Sequence, residues 1–178
     1  MKLLFRGYGV GQLLSLLKSK LFTLVFYPKA RLIRLPFRIR KIGKFEYGEQ
    51  FTTGYGSRID IFEKATLVVG KRVQINDYCH LGCANKITIS DDVLIASKVF
   101  ITDHDHDFTS SVVEPSKWPL VTQEVHIGKR VWIGENVSIL KGVKLGDDCI
   151  VGANSVVTKS FPNQSIIAGA PAKIIRMR

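Results

Sequence analysis

The chain repeats itself every six residues, and few folds can accommodate that period. From Ile127 it divides without gaps into IGKRVW, IGENVS, ILKGVK, LGDDCI, VGANSV and VTKSFP. The first position reads Ile127, Ile133, Ile139, Leu145, Val151 and Val157, and the second is mostly glycine (Gly128, Gly134, Gly146, Gly152). The fifth reads Val131, Val137, Val143, Cys149, Ser155 and Phe161. A helix would repeat near 3.6 and a strand at 2, so neither explains six. A triangular solenoid does. Each hexad is a short strand plus a corner, three hexads make one coil, and the aliphatic first residue points into the prism. The small or β-branched fifth residue also points inward, and glycine at the second suits a tight backbone beside the corner. One coil cannot bury its faces alone, so coils must stack.

The pattern returns upstream at Val69-Gly70, Ile75-Asn76 and Leu81-Gly82, then at Ile89-Ser90, Ile95-Ala96 and Ile101-Thr102. Two extra residues bulge between Leu81 and Ile89. The tract 103–124 does not fit the repeat and reads as a loop leaving the prism. Residues 42–66 carry a weaker version, the irregular first coils. The domain organisation expected is a basic, apolar N-terminal arm or cap over 1–45, followed by the β-solenoid over 46–178.

Charge separates these two parts. Residues 1–44 hold eleven basic residues and no acid, whereas the other fifteen basic residues balance all fifteen acids. The net charge of +11 therefore belongs to the arm, and the body carries no polyanion footprint, which argues against nucleic acid. Residues 10–27 have leucines at helical spacing with Lys18 and Lys20 as the only charges. Apolar surface flanked by dense basic charge is the composition of an interfacial membrane anchor; capping of the open prism end is the competing reading. No run approaches the roughly 20 apolar residues of a spanning helix, no signal cleavage site is evident, and a cytoplasmic location is expected. Cys79, Cys83 and Cys149 make no even disulfide set and no metal pairing, so they read as core residues in a reducing compartment.

The segment VWIGENVSILKGVKLGDDCIVGANSVVTKSFP and the ending Ala168-Gly169-Ala170-Pro171-Ala172-Lys173 resemble the hexapeptide-repeat acyltransferases. The resemblance is strongest to the galactoside and maltose O-acetyltransferases and to the O-acetyltransferases of bacterial surface polysaccharides. It covers about residues 66–178 and implies an all-β fold, a left-handed parallel β-helix. It also implies a homotrimer with active sites in the clefts between prisms, acetyl-CoA as co-substrate, no required metal, and a saccharide acceptor. The loop histidine of the family falls on His104, within TDHDHDF.

Acetyl transfer to a hydroxyl needs a base, and imidazole can take the proton and return it to the leaving thiolate, contributing typically ~10²–10⁴-fold. Asp103, Asp105 or Asp107 could orient that ring, and His106 is the rival base. On the acceptor side the resemblance points to Asn76, with His80 and His106 facing the same cleft. On the coenzyme side it points to Trp132 against the pantetheine arm and to backbone groups near Ala153. It also places Thr158 and Lys159 near adenine and phosphates, and Lys173 and Arg176 on the phosphates. His126 reads as a surface residue. Three other functions compete with sugar O-acetylation. One is N-acetylation of a nucleotide-linked amino sugar. Another is a zinc enzyme like the γ-type carbonic anhydrases, which would need His80, His104 and His106 to converge. The third is a silent scaffold.

Overall fold

The computed structural model describes residues 9–178, so Lys2 and Arg6 of the basic arm lie outside the described residues. The hexads stack as the period requires, and the fold is the left-handed parallel β-helix that the resemblance implied, with three parallel sheets, one per prism face. Face one carries strands 32–33, 52–53, 74–75, 94–95, 132–133, 150–151 and 165–169. Face two carries 38–41, 58–61, 80–83, 100–102, 138–139 and 156–157, and face three 44–47, 66–69, 86–89, 125–127 and 144–145. A final strand, Ala172–Met177, folds back antiparallel on Ser165–Gly169. The first rung starts at Leu32, inside the segment read from sequence as the arm.

First and fifth hexad positions form the core: Ile127, Ile133, Ile139, Leu145 and Val151 are all buried, as are Val131, Val137, Val143 and Cys149. Parallel register stacks like on like, with Ile127 beside Leu145, Ile133 beside Val151 and Ile139 beside Val157. A Cβ added at Gly134 would sit 2.7 Å from the amide nitrogen of Ala153 in the next coil, which is why this position takes glycine. The fourth position, which the repeat did not flag, turns the corner in the left-handed region at Arg130 (φ 55), Asn136 (φ 56), Asp148 (φ 60) and Asn154 (φ 59). Asn and Asp tolerate that region better than most residues. Along one corner these side chains alternate in charge. Arg72 grips Asp92 at 2.6 and 2.7 Å, and Arg130 grips Asp148 at 2.8 and 2.7 Å.

Helix α1 (Val10–Phe26) covers the first coil, with Phe22 packed on the core and Leu13 and Leu16 half-buried. Its buried residues are Ser19 and Thr23, one turn apart. Their hydroxyls accept the edge amides of Leu35 (3.0 Å) and Ile33 (2.8 Å), donors that a sheet edge would otherwise leave unpaired. Leu14, Leu17, Leu21 and Leu24 are each more than half exposed. Phe22, Tyr27, Phe37, Phe45, Tyr47 and Phe51 form a chain of aromatic contacts, with centroids 5.4–6.3 Å apart, at the same end of the prism.

Candidate active site

The loop at 103–124 replaces one corner between faces two and three, and that interruption creates the site. The chain leaves face two after Thr102 and re-enters on face three at Val125, directly above strand Lys86–Ile89. Outside the prism, His104–His106 pairs antiparallel with Leu120–Thr122. In the coil below, corner amides find carbonyls in the next coil: Phe62 donates to Cys83 and Thr66 to Asn85. Above Ala84 and Asn85 that next corner is gone. The fully buried Asp103 fills the gap. Its Oδ1 accepts the Ala84 amide at 2.7 Å and its Oδ2 the Asn85 amide at 2.8 Å.

The same Oδ1 lies 3.0 Å from Nδ1 of His104. A carboxylate only accepts, so Nδ1 carries a proton, and in the neutral ring the lone pair is then at Nε2. Burial pushes the Asp103 pKa up, but the hydrogen bonds from His104, Ala84 and Asn85 outweigh it and hold the carboxyl below its ordinary range. The ring is further fixed by Thr102, whose hydroxyl donates to the His104 carbonyl at 3.0 Å, and by Phe62, edge-on at 5.3 Å. Gly82 gives it room, since a Cβ there would stand 3.2 Å from Cε1 of His104. Among the described residues Nε2 has no hydrogen-bond partner. Of the three aspartates open to the sequence reading, Asp103 orients the ring. Asp105 instead pairs with Lys141 (2.6 Å), and Asp107 accepts from Thr109 within the loop.

Beside His104 lies a cleft lined by Arg40, Arg58, Asp60, Phe62, His80, Gly82, Phe100 and Thr102. His80 therefore shares the cleft with His104, with its Nε2 donating to Asp60 at 3.0 Å. Asp60 is nearly buried and also faces the guanidiniums of Arg58 (2.6 Å) and Arg40 (3.3 Å). Burial would raise its pKa, but the His80 hydrogen bond and the two arginines outweigh that and lower it. Arg40, Arg58 and Asp60 were not picked out from the sequence. Their signal is the register: Arg40, Asp60, Gly82 and Thr102 form one outward row on successive coils, visible only once coil lengths are known.

His106 lines an adjoining cleft with His104, Leu140 and Lys141, but its Nδ1 donates to the Trp118 carbonyl at 3.2 Å. Thus His80, His104 and His106 are held by three different partners and do not converge on one point. Asn76 is exposed at a corner of face one, in a depression that includes Arg34 and Gln74 but not His104. Trp132 is half exposed on face one, in register with Leu94 and Ile150. Ala153, Thr158 and Lys159 are exposed at corners of the last coils, and Lys173 and Arg176 are exposed on the C-terminal strand. These exposed cations and the Trp132 row suit a phosphorylated, partly apolar coenzyme. Trp132, Lys173 and Arg176 lie on face one, away from His104. Thr158 and Lys159 instead follow the face-two strand 156–157, two coils along the same edge from Thr102. A single copy does not bring the two halves together. Cys83 and Cys79 are buried, with thiols pushed up by burial to about 12 and about 11, and are inert as nucleophiles.

A prism of hexads with a base-competent histidine at its one long interruption has the build of a β-helical acyltransferase. Residues 124–159 match the family described as bacterial transferase hexapeptide (six repeats). A protein of Escherichia coli K12 provisionally assigned as the lipopolysaccharide biosynthesis O-acetyl transferase WbbJ is 44% identical over 180 residues, spanning 97% of this chain and 92% of the relative. Galactoside O-acetyltransferase of the same organism is 37% identical over 90 residues, 51% of this chain and 43% of that one. A hexapeptide-repeat acetyltransferase of Vibrio cholerae O1 biovar eltor, solved with acetyl-CoA, superposes with a TM-score of 0.59 at 26% identity, covering 84% of this chain and 68% of the other. The chain belongs to the hexapeptide-repeat acyltransferase family.

Proposed function

We propose that the protein transfers an acetyl group from acetyl-CoA to a sugar hydroxyl during assembly of a cell-surface glycan, with His104 as general base. The observation that carries this reading is the Asp103-held ring with its open Nε2. Bound acetyl-CoA supplies the acyl group as a thioester with a thiolate leaving group. His104 Nε2 takes the acceptor hydroxyl proton as the new C–O bond forms, and returns it to the departing sulfur. Asp103 keeps the tautomer and stabilises the transient imidazolium without leaving its backbone donors. Trp132, Ala153, Thr158, Lys159, Lys173 and Arg176 hold the coenzyme, and His80 and His106 flank the acceptor.

Because Trp132, Lys173 and Arg176 lie on face one while His104 stands at the edge between faces two and three, the working unit is a homotrimer in which one copy supplies His104 and its neighbour the Trp132 wall. The outward leucines of α1, beside Lys18, Lys20, Lys29 and Arg31, support a peripheral position on an anionic membrane face, where lipid-linked glycans are built. The test is thiol release from acetyl-CoA with simple sugars, nucleotide sugars and lipid-linked glycans. His104→Ala is expected to lose ~10² or more in kcat while still binding acetyl-CoA. Undiminished turnover in the variant would remove His104 from the role, and failure to bind acetyl-CoA at all would sink the reading.

A further inference from the structure

The cleft beside His104 contains more charge than a neutral sugar requires. Arg40, Arg58 and His80 converge on the single carboxylate of Asp60, at 3.3, 2.6 and 3.0 Å. Asp60 is only 5% exposed, so it is a fixed strut rather than a solvent-facing ligand. The two guanidiniums stay about half exposed (side chains 55% and 52%). Each approaches Asp60 through Nε, and among the described residues neither engages its terminal N–H₂ groups in a hydrogen bond. Arg40 is also steadied by the Phe62 ring, 5.1 Å from its guanidinium carbon, and that ring contacts His104 in turn. Two guanidiniums against one carboxylate leave an excess positive charge in the cleft that the base also lines. This arrangement differs from the corner ladder, where Arg72 and Arg130 each meet a carboxylate with both arms of the fork and are neutralised. Oriented but unengaged fork donors match planar or tetrahedral oxyanions.

We propose that Arg40 and Arg58 select an acceptor bearing an oxyanion close to the hydroxyl that is acetylated. The inference rests on the acyltransferase reading of the same site. The oxyanion is either the carboxylate of an acidic sugar or the phosphate ester joining a sugar to its carrier; both present the same oxygens to the same forks. Asp60 is the positioning residue, and the arginines bind the acceptor directly.

The experiment compares galactose, galacturonate and galactose 1-phosphate as acceptors, by acetyl-CoA turnover and by calorimetric binding to the His104→Ala protein saturated with acetyl-CoA. The same measurements are repeated in Arg58→Gln and Arg40→Gln backgrounds. An anionic probe is expected to outperform galactose by at least ~10-fold in kcat/KM or affinity. That margin should collapse in both arginine variants through KM, with acetyl-CoA affinity retained and Tm somewhat lower because the buried Asp60 loses a partner. Preference for galacturonate alone assigns a carboxylate, and preference for galactose 1-phosphate alone assigns a phosphate ester. Equal response to charged and neutral probes, or no response to either charged probe, overturns the inference. Acetyl-CoA binding in the same titrations reports on the acyltransferase reading separately, so the two can fail independently.

Discussion

At the scale of single residues, Asp103 joins folding to chemistry. It repairs the hydrogen-bond deficit left where the loop departs and, with the same oxygen, sets the tautomer of His104. In Asp103→Asn the new NH₂ group faces donors, so at least one buried N–H loses its acceptor. The expected result is a loss of roughly 1–3 kcal/mol in stability together with a fall in kcat of about 10²-fold, with acetyl-CoA affinity unchanged. A normal kcat would show that another group orients the ring. The carboxylates also predict an acid limb. Asp103 and Asp60 titrate below their ordinary range when folded, so the unfolded chain takes up their protons at higher pH. Their stabilisation is therefore complete above the unfolded value, about pH 4, and is lost as pH falls through the folded values. Melting temperature measured downward from pH 5 should drop, and Asp103→Asn should flatten that drop.

At the scale of elements, α1 departs from the usual amphipathic arrangement, since its fully buried side chains are the hydroxyls of Ser19 and Thr23, beside the partly buried Leu16 and Phe22. The leucine spacing in the sequence marks a helix, and the ordinary expectation is that leucines face the protein. Here the edge of the first coil presents unpaired amides, and hydroxyls answer that need better than methyl groups. Opposite effects on the two helix faces follow. Thr23→Val leaves the Ile33 amide without its partner and should cost about 1–3 kcal/mol. Leu17→Ser with Leu21→Ser should leave the melting temperature unchanged but abolish co-sedimentation with vesicles containing anionic lipid. If the leucine variants instead melted early, α1 would be packed through its apolar face. Retained vesicle binding would remove α1 from the membrane role.

At the scale of the whole molecule, stacked coils make a rigid prism whose functional groups are distributed around its perimeter. His104 stands at one edge, whereas Trp132 lies on another face. A shared site predicts complementation. Mixing His104→Ala with Trp132→Ala, after dissociation and reassembly, should restore about a quarter of wild-type activity, because each half-site is intact with even odds. Sites confined to one chain would restore none. Sedimentation of the mixture checks that assembly has occurred.

With His104 singled out only by the family resemblance, the six-residue period was enough to specify the prism, its inward positions and the place of the projecting loop. Those features depend on spacing along the chain, which sequence displays directly. Three others were decided by tertiary structure: which aspartate meets His104, which way α1 faces, and the gathering of Arg40, Arg58, His80 and Asp60. Each depends on groups one coil apart. Coil length varies with every bulge, so lateral neighbours in this fold are set by register between coils and leave no local mark in the chain.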